Sequence, residues 1–85
     1  MILRAEFTTE PFEGEGEPPA HAVAARDCLR AAGLEPDFGP LGTSITGDRE
    51  ILLPALASVV ETVLDTGANR ITLQVTVDDA DGDQV

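Results

Sequence analysis

The order of strand-like and helix-like segments is the feature of this sequence that most limits its fold. Apolar residues recur at every second position in some segments, which is typical of half-buried strands. In others they recur at the three- and four-residue spacing of an amphipathic helix. The predicted segments are, in order, strand 2–9, helix 20–32, an edge or irregular strand within 34–41, strand 43–46, helix 49–66 and strand 71–77.

This order predicts an α+β fold. Because strand–helix–strand crossovers are right-handed, few topologies are compatible with it. The commonest is the ferredoxin-like βαββαβ arrangement, a four-stranded antiparallel sheet with two helices on one face. The sheet residues expected to meet the helices are Leu3, Ala5, Phe7, Ile45, Ile71, Leu73, Val75 and Val77.

The helix stripes predict which side chains cover the sheet. In the first helix the expected stripe is Ala22, Ala25, Cys28, Leu29 and Ala32. In the second, the expected central stripe is Leu53, Leu56, Ala57, Val60 and Leu64, with Leu52, Val59 and Val63 on one flank. Gly33 and Gly67 follow the two helices and are expected to end them in a left-handed conformation.

Charge restricts the classes of partner. The chain carries 16 acidic residues against 5 basic residues, all arginine, for a net charge of −11. Such a surface repels phosphate backbones and anionic lipid, so we expect no nucleic-acid partner and no membrane partner. The excess of acids and the absence of lysine favour a halophilic source, because high salt screens the self-repulsion. A GC-rich genome would explain the missing lysine but not the acids.

Length and cysteine content predict a simple organisation. With 85 residues the chain is expected to be one domain, 1–85, with 10–19 as a mobile acidic loop and 79–85 as an acidic tail. The single cysteine, Cys28, cannot form an internal disulfide. No apolar run approaches about 18 residues, so we expect a cytoplasmic location.

Residues that usually carry catalysis or metal binding are scarce. The lone histidine, His21, is expected to cap or pack, and Cys28 to behave as a small buried hydrophobe. The acidic run 78–83 lacks the glutamate of a calcium loop and is expected to be solvated. The acidic loop 10–19 is also expected to be solvated, with a cation-binding lid as the alternative. We therefore expect no catalytic residue, no metal, no cofactor and no enzymatic activity.

Three short motifs in the second half of the chain are informative together. Pro-Leu-Gly-Thr occupies 40–43, Gly-Asp occupies 47–48, and Gly-Ala-Asn-Arg occupies 67–70. Their order and spacing resemble the thiamine-binding protein family, which has Pro-Met-Gly-Thr, Gly-Asp and Gly-Ala-x-Arg at these places. Glu6 matches a recurrent acidic position of the first strand. The resemblance implies a ferredoxin-like fold, thiamine or its hydroxymethylpyrimidine part as ligand, and a homodimer or homotetramer.

The sequence also departs from the family pattern. Thr46 stands where the family commonly has a glutamate, and Val60 where it often has a histidine. Ala80 and Asp81 replace arginines that usually follow the last strand. These departures favour an alternative, in which the chain is a structural, interaction or regulatory module that keeps the fold and has lost the ligand.

The first hypothesis is nevertheless a non-catalytic binder of thiamine or hydroxymethylpyrimidine that acts as a homo-oligomer. A carboxylate-rich site attracts the cationic thiazolium, and an aminopyrimidine offers hydrogen-bond donors and acceptors. We expect the oligomer to use the threonine-rich second face of the sheet and the strand edges. The expected ligand-binding residues are Glu6, Phe38, Gly42, Thr43, Ser44 and Thr72.

Overall fold

The computed structural model of the chain describes residues 1–12, 16–39 and 42–78. It confirms the α+β, ferredoxin-like arrangement: two helices and a four-stranded antiparallel sheet in the order β2-β3-β1-β4. Part of the expected acidic loop, 13–15, and the expected acidic tail, 79–85, lie outside the described residues. The elements are β1 (Ile2–Glu10), α1 (Ala20–Ala31), β2 (Asp37–Phe38), β3 (Thr43–Asp48), α2 (Arg49–Asp65) and β4 (Arg70–Val77).

The register of β1 with its two neighbours decides which side chains share a face. Leu3 lies opposite Gly47 in β3 and Val77 in β4, while Glu6 lies opposite Ser44 and Gln74. Residues directly opposite each other in antiparallel strands project to the same face. The odd-numbered residues of β1, β3 and β4 therefore face the helices. The even-numbered residues form the other face, called the open face below.

The second predicted strand is shorter than its segment. Among the described residues of this segment, 34–39, only Asp37–Phe38 pairs with β3, next to Thr43 and Ser44. Pro36 precedes this short pairing, and proline cannot donate to a strand ladder. β3 continues to Asp48, two residues beyond the predicted end.

The first helix follows its prediction closely. Ala25 and Leu29 are fully buried and Cys28 packs against the core, whereas Ala32 follows the helix and is exposed. Gly33, at φ +85°, ends the helix as expected. The N–H groups of Gly33 and Leu34 donate to the carbonyls of Arg30 and Leu29, at 2.9 and 3.0 Å, and so satisfy two terminal acceptors.

The central stripe expected for α2 is confirmed at Leu56 and wrong at its other residues. The residues that α2 buries are Leu52, Ala55, Leu56, Val59 and Val63. Of the expected centre, Leu53, Ala57 and Leu64 are exposed and Val60 is half-buried. α2 packs against α1, β1 and β3, and the residues it buries lie mainly on the predicted flank. Because α2 carries two adjacent apolar stripes, its periodicity does not distinguish the covered stripe from the uncovered one.

The expected burial of β4 is also wrong. Leu73, Val75 and Val77 face the helix side, yet they are 37%, 44% and 54% exposed. β4 is the edge strand beyond β1, and the helices pack over β1 and β3. Only Ile71, near the start of β4, packs against the buried cluster.

Candidate functional site

Two concave regions meet at the turn between β2 and β3. The first, called the open-face groove, has a volume of about 440 Å³ and lies on the open face between Glu6, Ser44 and Thr72. The second, called the aromatic cavity, has a volume of about 790 Å³ and lies between the end of β1 and the start of α1. Gly42 and Thr43 line both regions, so the groove and the cavity are contiguous there.

The structure brings most of the predicted ligand-binding residues to the groove. Glu6, Gly42, Thr43, Ser44 and Thr72 all line it. The sixth predicted residue, Phe38, lines the aromatic cavity instead, together with Gly42 and Thr43.

Glu6 lies in the middle of the open face. The Nε–H of Arg4 donates to Oε2 of Glu6 at 3.1 Å, and about half of each side chain is exposed. An exposed ion pair of this kind contributes little, about 0–1 kcal/mol. A carboxylate also accepts several hydrogen bonds at once. Glu6 can therefore accept from a bound molecule without losing its arginine partner.

Gly42 brings the β2–β3 turn against β1. A Cβ at this position would lie 3.1 Å from the Phe7 carbonyl oxygen and 3.1 Å from Cγ2 of Thr8. A side chain therefore fits here only if β1 or the turn shifts. Inside the turn, the N–H of Gly39 donates to the Gly42 carbonyl at 3.0 Å. At Gly42 the wall shared by groove and cavity is consequently backbone. Pro40 and Leu41 lie outside the described residues.

His21 connects the start of α1 to the end of β1 at the cavity wall. It is buried, and its Nε2–H donates to the Pro11 carbonyl at 3.0 Å. In the neutral ring, Nδ1 accepts from the Thr9 hydroxyl at 2.8 Å. Both ring nitrogens are thus engaged in holding the wall, which is a structural task.

All three phenylalanines of the chain line the aromatic cavity. Phe7 is buried in the sheet, whereas Phe12 is 48% exposed. The Arg26 guanidinium carbon lies 5.2 Å from the centroid of the Phe38 ring, a cation–π contact that orients this ring. Such a cluster of rings offers flat apolar surface to a ring-shaped ligand.

The charged residues among the described lining of the aromatic cavity are acidic, while Arg26 lies behind the wall, against Phe38. Glu10 and Glu17 line the cavity, and no arginine is among its described lining residues. Glu10 and Glu17 belong to the acidic loop for which a cation-binding lid is the alternative expectation, whereas Phe12 was not predicted as a site residue. A usable signal was present, because Phe12 is an aromatic side chain inside an otherwise Pro-, Gly- and Glu-rich loop.

Two searches of the described residues gave negative results. Among residues 1–12, 16–39 and 42–78, no group of three or more His, Cys, Asp or Glu side chains is arranged to hold a metal ion. Neither helix in this part of the chain has the length and apolar character needed to cross a bilayer.

The fold recurs in solved structures of low sequence identity. A Thermotoga maritima protein assigned provisionally to thiamine biosynthesis or salvage superposes with a TM-score of 0.67 at 18% identity, over 96% of this chain and 87% of that one. A Streptococcus pneumoniae protein gives 0.60 at 16% identity, over 96% and 92%. A domain of unknown function from Bacillus cereus gives 0.63 at 16% identity, over 88% and 72%. At these identities the likeness shows the fold alone.

Family membership comes from a separate comparison. No curated protein matches the sequence. The model of the thiamine-binding protein family, however, matches residues 5–85, which is nearly the whole chain and includes most of β1, both helices and the turn that joins groove to cavity. The chain therefore belongs to the thiamine-binding protein family.

Proposed function

We propose that this protein is a non-catalytic binder of thiamine or its hydroxymethylpyrimidine part and acts as a homo-oligomer. Membership of the thiamine-binding family supports a small-molecule ligand. The observation that carries the proposal is the aromatic cavity, where three phenylalanines and two carboxylates surround a space that opens into a polar groove. About 790 Å³ lies within the usual range for small-molecule sites.

The chemistry of thiamine matches both parts of this site. Its aminopyrimidine is a flat ring that stacks on aromatic side chains such as Phe12 and Phe38. Its thiazolium carries a permanent positive charge, which Glu10 and Glu17 attract in the cavity and Glu6 attracts in the groove. The hydroxyls of Ser44 and Thr72 line the groove and supply hydrogen-bond partners.

The polar groups of the site are suited to holding a ligand and not to transforming it. His21, the only imidazole, uses both ring nitrogens to join Thr9 and Pro11. Cys28 lies on α1 and packs against the core. These arrangements support binding without catalysis as the function.

Isothermal titration with thiamine in molar salt tests the proposal. We expect saturable heat from the wild-type protein, a clear loss of affinity for Phe12→Ala and a smaller loss for Glu6→Gln. Phe12 is 48% exposed, so its truncation should leave the fold intact. Ile51→Ala is the matched control, because Ile51 is 49% exposed and lines neither region.

The outcomes of the titration separate the possible sites. Equal affinity of wild type and both site variants would reject this site while leaving binding intact. No heat from any protein at millimolar thiamine and millimolar hydroxymethylpyrimidine would reject the ligand class.

A structural or interaction module is the second candidate. The departures at Thr46 and Val60 favour it, since the family commonly has side chains there that can bind a ligand. Light scattering distinguishes the two candidates. A protein that assembles in molar salt and gives no heat with either ligand is the module, whereas one that does both is the binder.

A further inference from the structure

We infer that the hydrogen bond from His21 to the Pro11 carbonyl positions Phe12 in the aromatic cavity, which makes His21 a positioning residue for the ligand. The second hydrogen bond of the same ring, with the Thr9 hydroxyl, serves the stability of the fold instead. The inference rests on the proposed function, because it assigns to His21 a part in the affinity for that ligand. The two bonds of one imidazole thus have different tasks.

The imidazole is attached to an element that the core holds in place. His21, Ala25 and Leu29 are the residues that α1 buries. They follow one another at four-residue spacing, which places them on one face of the helix. Ala25 and Leu29 are fully buried in the core cluster and so fix α1 on the sheet. His21 therefore stands at a fixed place beside the end of β1.

The partners of the ring decide where its proton lies. A carbonyl oxygen only accepts, so Nε2 carries the hydrogen that meets the Pro11 carbonyl at 3.0 Å. In the neutral ring Nδ1 then has a free lone pair, which accepts from the Thr9 hydroxyl at 2.8 Å. One side chain consequently ties two places to α1, one inside β1 and one just beyond its end.

The chain leaves the sheet ladder after Glu10. Glu10 lies opposite Arg70, and its carbonyl accepts from the N–H of Asn69 at 2.7 Å. Pro11 has no N–H to donate, so its main chain offers only a carbonyl. In the described part of the chain, the bond from His21 is the only hydrogen bond to Pro11. The direction in which the chain enters Phe12 therefore depends on this bond.

Phe12 needs such a tie because packing does not fix it. Its side chain is 48% exposed and lies outside the buried core cluster, yet it lines the aromatic cavity. A ligand that binds against a loosely held ring must order that ring, and the lost conformational freedom reduces the affinity. A Phe12 that is already in place is what the Pro11 tie contributes to binding.

The two hydrogen bonds of His21 differ in burial. Thr9 and His21 are buried, so loss of the bond between them leaves a buried polar group without a partner. The bond to Pro11 is only part-buried and Pro11 is exposed, so water can take the place of His21 there. Loss of the first bond therefore lowers the free energy of unfolding. Loss of the second releases Phe12 at a small cost in stability.

Two substitutions at position 21 separate the two bonds. The amide of Asn reaches about as far from the backbone as Nδ1 of the imidazole, and the amide of Gln about as far as Nε2. His21→Asn therefore keeps the bond to Thr9 and loses the bond to Pro11, whereas His21→Gln does the reverse. Thr9→Val is the matched control, because it removes the Thr9 hydroxyl and leaves Pro11 held.

The first test measures affinity by isothermal titration with thiamine in molar salt, and stability by urea unfolding. We expect His21→Asn to raise the dissociation constant about three- to tenfold, which corresponds to the net loss of one hydrogen bond. His21→Gln and Thr9→Val should keep the dissociation constant of the wild type, although both lower the urea midpoint more than His21→Asn does. A histidine with a purely structural role would give affinities that are equal or that follow the stabilities.

The second test needs no ligand. The chain has no tryptophan, so Phe12→Trp introduces a single fluorescent reporter at the site. In this background we expect acrylamide to quench the tryptophan more strongly after His21→Asn, because the indole is then less firmly held. His21→Gln should leave the quenching unchanged. Circular dichroism shows whether each protein is folded.

Three results would overturn the inference. Equal quenching in the reporter protein with His21, with His21→Asn and with His21→Gln would show that the Pro11 bond does not position residue 12. Equal losses of affinity in His21→Asn and His21→Gln would show that the imidazole itself meets the ligand. A loss in Thr9→Val as large as in His21→Asn would show that the two bonds act as one. No heat from the wild-type protein rejects the proposed ligand instead, and the quenching experiment then decides alone whether His21 positions Phe12.

Discussion

Truncation of two neighbouring leucines on α2 tests the packing of the helix layer. Leu52 is fully buried and Leu53 is 40% exposed, although the apolar pattern of the helix had assigned the central position to Leu53. Leu→Ala changes helix propensity only slightly at either position. A difference between Leu52→Ala and Leu53→Ala therefore measures burial.

The expected magnitudes follow from the exposed fractions. Removing three buried carbon atoms at Leu52 costs about 2.4 kcal/mol of transfer free energy, and the cavity left behind raises the loss to about 3–4 kcal/mol. A chain of 85 residues has a total free energy of unfolding of about 4–13 kcal/mol. Leu52→Ala thus removes a large share of the stability, whereas Leu53→Ala costs about 1 kcal/mol or less in the isolated chain.

Urea unfolding in 1 M salt, followed by circular dichroism at low micromolar concentration, gives both values. The slope of the free energy against urea should stay the same in both variants, so that the midpoints report stability. Repeating the series at tenfold higher concentration adds a second readout. If Leu53 lies in the interface between copies, the loss from Leu53→Ala grows with concentration while that from Leu52→Ala does not. Equal losses for the two variants at the low concentration would show that this account of α2 packing is wrong.

Three further outcomes are expected. His21→Ala should lower the free energy of unfolding by about 2–3 kcal/mol, because it leaves the buried Thr9 hydroxyl unpaired and removes the part-buried bond to the Pro11 carbonyl. Thr9→Val should cost less, and urea midpoints measure both losses. Gly47→Ala should lower the free energy of unfolding by about 1 kcal/mol, because the new Cβ would lie 2.8 Å from Cδ2 of Leu34. In a Leu34→Ala background this loss should be smaller, which a double-mutant cycle measures. Raising the salt concentration from 10 mM to 1 M should raise the urea midpoint, because the screening length around a chain of charge −11 falls from about 30 Å to about 3 Å. A urea midpoint that does not change with salt would contradict this prediction.

The architecture could be predicted because local patterns and chain connectivity agree. Strands β1 and β4 show a clean two-residue alternation, and Gly33 and Gly67 stop the two helices where their patterns end. Right-handed crossovers then leave one common arrangement. The sequence also predicted that β2 would be an edge or irregular strand, because Pro36 and Pro40 limit ladder formation. It did not predict the length of the pairing, which is two residues.

The candidate site could be predicted only in part. Glu6 and Thr72 lie on the open face because strand alternation places them there, and Ser44 follows from the register of β3. The aromatic cavity depends instead on how the chain after β1 returns to α1, through contacts such as His21 with Pro11. No periodicity governs such a return, so the sequence alone could not place Phe12 in the same cavity as Phe38.

The exposed apolar residues of β4 show that a two-residue alternation of apolar and polar side chains indicates which face of the sheet a residue is on, and not whether it is buried within the chain. The pattern predicted that Leu73 and Val75 are buried, and the register confirms that they face the helix side, but no helix covers them. A sequence is shaped by the assembled form of a protein, so its apolar pattern marks surfaces that are covered in that form, by the same chain or by another. The uncovered stripe of α2, with Leu53 and Leu64, is the same kind of discrepancy on an adjacent element.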